Sequence, residues 1–137
     1  MGSKEWNEAA EIVEARERQP EIEAAQIEEE ARKLEAFLNG AEGKAAKRLL
    51  KATDKHIVLG GLPGSSGVVS YIMDGEGLTQ ITEGNGYGNK QPQFTPTEPE
   101  YTAKAFRNPE YGKRKTQDLV GHIRAELDKI ASEIKKG

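Results

Sequence analysis

The 137-residue chain contains no cysteine, and this absence excludes disulfide bonds and thiolate metal ligands. It has two histidines and no serine-centred nucleophile motif, so little general acid–base machinery is available. It also has no apolar run near the roughly 20 residues that span a bilayer, and no start that resembles a signal peptide. We therefore expect a cytoplasmic protein that is not an enzyme, uses no cofactor or metal, and does not enter a membrane.

Apolar residues are scarce as well, because hydrophobic side chains make up 35% of the chain and charged ones 31%. A chain this polar often completes its core by oligomerising, so we expect a homo-oligomer. The charge is unevenly distributed: residues 4–43 hold 12 acidic and 5 basic side chains, whereas residues 44–137 hold 11 and 15. This asymmetry favours attraction between subunits, or between the basic part and a phosphate-bearing ligand.

The clearest β-forming stretch is residues 56–83. It predicts strands at 56–59, 68–73 and 78–82, because these runs are rich in β-branched and aromatic residues. An Asp-Gly turn at 74–77 predicts a hairpin between the last two strands. We expect an antiparallel sheet with helices on one side and the other side open to a second subunit.

Charged segments with helical periodicity lie on both sides of this sheet. Ala24, Ile27, Ala31, Leu34 and Leu38 alternate steps of three and four, which predicts a helical seam. A kink or break is expected near Pro20, a short helix over 44–52, an edge strand at 101–106, and a long helix over about 115–135.

Together these elements predict an α+β fold, with a small antiparallel β-sheet of three to four strands flanked by N-terminal helices and a long C-terminal helix. We expect one domain over residues 1–137, divided into a helical arm (1–53), the sheet with a long loop (54–107) and the C-terminal helix (108–137).

Two short motifs are weak candidates for chemistry. Residues 60–67, GGLPGSSG, follow a strand as a phosphate-binding loop would, but they lack the lysine of a Walker A motif, so we interpret them as a flexible connection. Asp118, His122 and Glu126 share one face of the last predicted helix. They form either a metal site or a solvated face, and we favour the solvated face.

The strongest functional signal lies in residues 84–115, which contain five of the eight aromatic residues and carry a net charge of +3. Rings stack on bases, and cations grip phosphate oxygens, so this composition suits a nucleotide-type ligand. The alternative is that the rings hold a long loop against the sheet while the cations stay in water. The predicted ligand-binding residues are Tyr87, Asn89, Phe94, Phe106, Arg107, Lys113 and Arg114.

The order of these elements is similar to that of the phage anti-defence sponge proteins of the Thoeris system. The similarity covers a helix ending near Leu38, strands within residues 56–82, and a helix after Lys115. Proteins of that family sequester cyclic ADP-ribose-type signals, and related sponges hold cyclic oligonucleotides, between subunits. The resemblance implies an oligomer that holds a nucleotide-like ligand, in the host cytoplasm if a phage encodes it.

Three functions follow from the sequence. The first is a non-enzymatic oligomeric sponge for a phosphate-bearing nucleotide-type ligand, for which Arg107→Ala with Arg114→Ala should abolish binding and leave the thermal melt nearly unchanged. The second is a protein–protein interaction module, an inhibitor or adaptor, acting through its amphipathic helices. The third is nucleic-acid binding, which the sequence pI near 5.5 and the acidic first third disfavour.

Overall fold

The computed structural model of the protein describes residues 3–64, 67–82, 92–108 and 118–136. Its elements confirm the α+β fold, since a four-stranded antiparallel sheet lies between N-terminal helices and a long C-terminal helix. In chain order they are α1 (Ser3–Asn39), α2 (Ala41–Thr53), β1 (Ile57–Gly64), β2 (Gly67–Asp74), β3 (Gly77–Thr82), β4 (Gln93–Pro96), α3 (Pro99–Arg107) and α4 (Leu119–Lys136).

The sheet is a meander in which the strands pair in the order β1-β2-β3-β4, each antiparallel to the next. Between Val58 and Gly60 the register with β2 shifts, so Leu59 is an extra residue in a β-bulge. Gly60 has a φ of +148°, and a Cβ there would lie 2.4 Å from the carbonyl oxygen of Ala105. Glycine at this position therefore lets α3 pack directly on the bulged strand.

The hairpin between β2 and β3 is confirmed, because Asp74 pairs with Gly77 across the two turn residues Gly75 and Glu76. One carboxylate oxygen of Asp74 accepts the Glu76 N–H at 2.9 Å. The other accepts the Thr79 hydroxyl at 3.2 Å. The turn is thus stabilised by the aspartate that the sequence places at its first position.

The core lies on the sheet face that carries Ile57, Met73 and Leu78, and helices from both ends of the chain cover it. The opposite face carries Val58 and Val68, each about half exposed. The largest fully buried side chains are Phe106, Leu34, Leu50, Leu59, Met73, Leu119, Ile123 and Thr102. The core therefore draws on every helix as well as on the sheet.

Two predictions for the middle of the chain are wrong. Residues 60–64 are not a flexible connection, because they form the second half of β1 and pair with β2 as far as Gly64 opposite Gly67. Pro63 is tolerated there because β1 is an edge strand. Residues 101–106 are not an edge strand but lie within α3, whose first residue, Pro99, suits a helix N-terminus because its fixed φ is helical.

Helix α1 continues through Pro20 without a break, although this proline cannot donate to the carbonyl four residues earlier. Its buried side chains are Glu30, Leu34 and Phe37. Ile27, Ala31 and Leu38 are only partly buried at the flanks, so the buried stripe is rotated from the predicted seam. Residues 3–26 of α1 are all exposed to solvent, and we call this segment the arm. At 1.5 Å per residue the arm is about 36 Å long.

Candidate functional site

A buried carboxylate joins three helices on the body of the protein. Glu30 is only 5% exposed, and one of its oxygens accepts a hydrogen bond from Nε of Arg107 at the end of α3. The other oxygen accepts the backbone N–H of Leu119, the first residue of α4, at 2.8 Å. Asp118 accepts the N–H of Gly121 on the same helix end. Two carboxylates thus satisfy N–H groups that the start of α4 would otherwise leave unpaired.

This junction changes the interpretation of two predicted ligand residues. Arg107 was expected to hold phosphate, but its guanidinium is paired with Glu30, and its side chain is only 34% exposed. Phe106 was expected to stack on a base, yet it is fully buried in the core, with its ring 5.6 Å from that of His122. Phe106 therefore stabilises the fold, and its face is not available to a ligand.

The other predicted ligand residues do not gather around Arg107. Phe94 lies on β4 and is 61% exposed. Strand β4 forms one edge of the sheet, and β1, against which α3 packs, forms the other edge. Three strand spacings of about 4.8 Å separate those edges by roughly 14 Å. Tyr87, Asn89, Lys113 and Arg114 lie outside the described residues. Within the described residues, the predicted set therefore contains no pair of rings that faces a common ligand.

An open cleft of about 600 Å³ lies beside the junction, between α1, β1 and α3. Two cations reach it, Lys104 and Arg107, and Glu23 faces them from the arm. The remaining lining side chains are the amides Gln19, Gln26 and Asn108 and the apolar Ile27 and Leu62. Because Glu23 lies among these groups and Glu30 already pairs with Arg107, the polar groups of the cleft leave it close to electrically neutral. It suits hydrogen-bonded recognition better than capture of a highly charged anion.

A second surface pairs α4 with the start of α2. Nε and Nη2 of Arg124 donate to the two carboxylate oxygens of Glu42 at 2.7 and 2.9 Å, and the guanidinium lies 5.7 Å from the centre of the Phe37 ring. This hydrogen bonding holds the pKa of Glu42 below its ordinary value of 4.5. Both side chains are exposed, so the pair orients the helices more than it stabilises them.

The three residues considered for a metal site each have other partners. Asp118 caps α4, and Glu126 accepts a hydrogen bond from Lys129 at 3.2 Å. The His122 ring is buried, and its Nε2–H donates to the carbonyl oxygen of Val58 at 3.2 Å. Among the residues that the structure describes, no group of three metal-ligating side chains comes together. The solvated-face interpretation is wrong for His122, which packs between the sheet and α3.

The arm carries four of the nine large apolar side chains that are exposed among the described residues. Trp6, the one tryptophan, is 72% exposed, and Ile12, Val13 and Ile22 are about half exposed. Trp6 and Val13 lie in phase with Ala31 and Leu38, the partly buried flank of α1, whereas Ile12 lies in phase with the buried Glu30. The ion pair between Arg18 and Glu14 joins two residues of the arm and does not connect the arm to the body. The apolar flank of α1 therefore continues beyond the surface that it covers in its own chain.

The sequence interpretation missed Glu30 and the cleft for identifiable reasons. Ile27, Glu30, Leu34 and Phe37 also alternate steps of three and four, but the charged member hides this stripe from a search for apolar residues. Gln19, Gln26 and Asn108 carry no spacing that distinguishes them from other polar surface residues. The signal that existed was Phe37, an aromatic residue one position outside the predicted seam.

No protein-family model, curated protein or solved structure matches the chain. Within the ranges that the structure covers, no helix combines the length and apolar character needed to cross a membrane. What the chain binds must therefore be inferred from its own surfaces.

Proposed function

We propose that the chain is a non-enzymatic protein–protein interaction module whose docking element is the arm. The observation that carries the proposal is that Trp6 and Val13 are exposed on one face of a helix that extends beyond its own body. Soluble proteins seldom leave a large aromatic residue and β-branched residues exposed along one helix unless that face meets a partner.

The energetics of the arm support the same proposal. A helix of 24 residues that packs little on its own protein depends on propensity, and proline in a helix interior costs about 3 kcal/mol. Pro20 lies within the arm. Packing of Trp6 and Val13 on a partner would supply the burial that the arm does not obtain from its own body, at about 1.5 to 3 kcal/mol for each large side chain.

The test is a binding experiment with matched arm variants. Trp6→Glu with Val13→Glu should remove the partner from tagged protein recovered from cells, because charges would then occupy the docking stripe. Ile22→Glu is the control, since this side chain is similarly exposed but points to the other side of α1. Loss of the partner in both variants, or in neither, would contradict the proposal. The thermal melt of each should match the parent because these side chains are exposed.

A second candidate function is the sequestration of a nucleotide-like small ligand between subunits in the cytoplasm, as the sponge resemblance implies. The observation that favours it is the cleft, where Lys104 and Arg107 lie among three amide side chains. Amides read base edges, and the free N–H groups of a guanidinium can still contact a phosphate after Nε is used.

Native mass spectrometry of gently purified protein tests this second function. A nucleotide-sized mass in whole-number ratio to subunits would support it, and Lys104→Glu should then remove that mass. Lys129→Glu is the control, because Lys129 is also exposed but lies outside the cleft. A spectrum of bare subunits under conditions that preserve oligomers would argue against a sponge.

A further inference from the structure

One face of α2 carries only cations. At about 100° per residue, four side chains fall within about 100° of one another on the side of the helix away from the buried Ala46, namely Lys44, Lys47, Arg48 and Lys51. Lys47 is partly buried, and the other three are exposed. The one acid within Ala41–Thr53 is Glu42, which lies on the opposite side and pairs with Arg124. We call the four cations the basic stripe.

The basic stripe works against the stability of its own helix. Its members are three or four residues apart, so like charges are neighbours on the helix surface, and such pairs destabilise a helix. Lys44 is the fourth residue of α2, near the helix end at which the dipole is positive and disfavours a cation. On α1, by contrast, Arg18 pairs with Glu14 at the same spacing. Proteins accept such local conflicts mainly where function requires them.

One member of the basic stripe has an ion-pair partner among the described residues. Lys51 lies 3.6 Å from a carboxylate oxygen of Glu76 in the β2–β3 turn, and both side chains are largely exposed, so the pair is weak. Lys44, Lys47 and Arg48 make no ion pair with any residue that the structure describes. Three of the four cations can therefore meet an anion from outside the chain.

The surroundings of the basic stripe favour a polyanion over a membrane or a protein surface. The residues beside it are three exposed alanines, Ala41, Ala45 and Ala52, and Leu49 lies on the far side of the helix. A helix that lies in a membrane surface needs large apolar side chains next to its cations. The centres of protein interfaces are rich in aromatic residues and poor in lysine. The stripe offers charge without an apolar anchor, which suits a partner that is itself a row of charges.

The length of the basic stripe fits a row of phosphates. From Lys44 to Lys51 the helix rises about 10.5 Å, at 1.5 Å per residue. Successive phosphates of one strand in a duplex are roughly 3.4 Å apart along the axis, so the stripe extends along about three of them. Lysine contributes point charges, and the guanidinium of Arg48 can donate two hydrogen bonds to one phosphate. Contacts of this kind position a nucleic acid without reading its bases.

We propose that the basic stripe of α2 binds the phosphate backbone of a nucleic acid without sequence preference. This site shares no residue with the arm or with the cleft, so it goes beyond the functions proposed above. It also lies outside residues 84–115, the basic segment that the sequence indicated. Lys44 and Arg48 contact the phosphates directly, and Lys51 joins them when a phosphate replaces Glu76. Although the chain carries a net charge of −3, exposed charges more than about 8 Å away are largely screened at physiological ionic strength.

Fluorescence anisotropy of labelled oligonucleotides with the full-length protein tests the proposal. The probes are single-stranded DNA, single-stranded RNA and duplex DNA of about 12 nucleotides, within the usual size of a single-strand binding site. The parent should bind at about 50 mM salt, and a plot of log affinity against log salt should have a slope of about −2 to −3.5, as three or four phosphate contacts require. Lys44→Glu with Arg48→Glu should weaken binding about tenfold or more and flatten this slope.

Matched controls have the same changes of charge at other places. Lys135→Glu with Lys136→Glu, at the exposed end of α4, should bind as the parent does. Glu76→Gln should strengthen binding about two- to threefold because it releases Lys51 from its ion pair. Glu14→Gln, which removes a largely exposed glutamate from its pair with Arg18 on the arm, should leave binding unchanged.

A thermal melt separates lost binding from lost folding. Lys44→Glu with Arg48→Glu should melt at the same temperature as the parent or higher, because like-charge neighbours are removed and a carboxylate near the N-terminus suits the helix dipole. If that variant melts lower, Lys44→Gln with Arg48→Gln takes its place, since it removes the two charges without adding new ones. This second variant should also bind more weakly than the parent.

Three results would overturn the proposal. The parent could fail to bind every oligonucleotide at low salt, or the α4 control could lose as much affinity as the α2 variant. The parent could also bind phosphatidylserine vesicles and none of the oligonucleotides, which would assign the stripe to a membrane surface. Trp6→Glu with Val13→Glu should bind oligonucleotides as the parent does, so this experiment and the recovery of an arm partner test different surfaces.

Discussion

The ion pair between Glu30 and Arg107 gives the sharpest prediction of this structure, and methionine replacements isolate it. Methionine is unbranched, favours helices and approximates the length of both side chains, so the packing around the site should change little. The single variants Glu30→Met and Arg107→Met and the combined variant form a double-mutant cycle.

The two single changes should differ in cost because the two partners differ in burial. Arg107→Met leaves a carboxylate that is 5% exposed with the Leu119 N–H as its remaining described partner. Leaving a buried charge without its partner costs about 3 to 5 kcal/mol of stability. Because the hydrogen bond from Leu119 remains, we expect a loss of about 3 kcal/mol for Arg107→Met. Glu30→Met leaves a guanidinium that water reaches and one unpaired N–H, so about 2 kcal/mol is expected.

The double variant should lose less stability than the two single variants together. With both charges gone, the remaining cost is the unpaired Leu119 N–H and imperfect packing, about 1 to 2 kcal/mol. The free energy of unfolding is measured by urea denaturation followed by circular dichroism. A cost for Arg107→Met below about 0.5 kcal/mol, or additive single effects, would refute the pairing and return Arg107 to a ligand-binding role. From the sequence we expected Arg107→Ala to leave the thermal melt nearly unchanged. The ion pair with the buried Glu30 instead predicts a loss of stability.

Three further predictions test the fold. Gly60→Ala should cost at least about 2 kcal/mol more than Gly67→Ala in urea unfolding, because both glycines have positive φ but only the first would place a Cβ against Ala105; equal costs would contradict the close packing of α3. The Glu42 carboxyl should titrate below 4.5 by carbon NMR, and Arg124→Gln should raise its pKa. Because this pKa is depressed in the folded state, the pair stabilises the protein above the unfolded-state pKa, and that contribution disappears as pH falls through the folded-state value; an unchanged pKa in the variant would contradict the pairing. Pro20→Ala should increase helical ellipticity at 222 nm without weakening the body, since the proline lies in the exposed arm; a loss of ellipticity would contradict a continuous α1.

The sequence was informative where local chemistry decides the structure. The β2–β3 hairpin follows from an Asp-Gly turn between β-branched runs. The last helix follows from aliphatic residues at steps of three and four, namely Val120, Ile123, Leu127, Ile130 and Ile134. Residues 60–64 were misjudged because glycine and proline are poor strand formers in general. Pairing with β2 along an edge strand overrides that preference. Such tertiary pairing leaves no local signal.

The candidate site was less predictable because burial assigns roles that composition does not. Phe106 and Arg107 are adjacent in sequence, and an aromatic ring beside a cation looked like a ligand site. Only the fold shows that Phe106 faces the core while Arg107 meets a carboxylate 77 residues away. The N-terminal Pro99 could have indicated α3, because proline favours the first helical turn, but residues 101–106 were predicted to form an edge strand.

The arm and the cleft share residues, and this overlap links the two proposed functions. Gln19, Glu23 and Gln26 line the cleft and also belong to the arm, whereas Lys104 and Arg107 belong to the body. A ligand in the cleft would therefore contact the arm and the body together and favour one arm orientation. A partner that holds the arm in that orientation would raise ligand affinity by the same factor by which the ligand raises partner affinity. Under these proposals, interaction and sequestration would both depend on the orientation of α1, because this helix carries the docking face and lines the cleft.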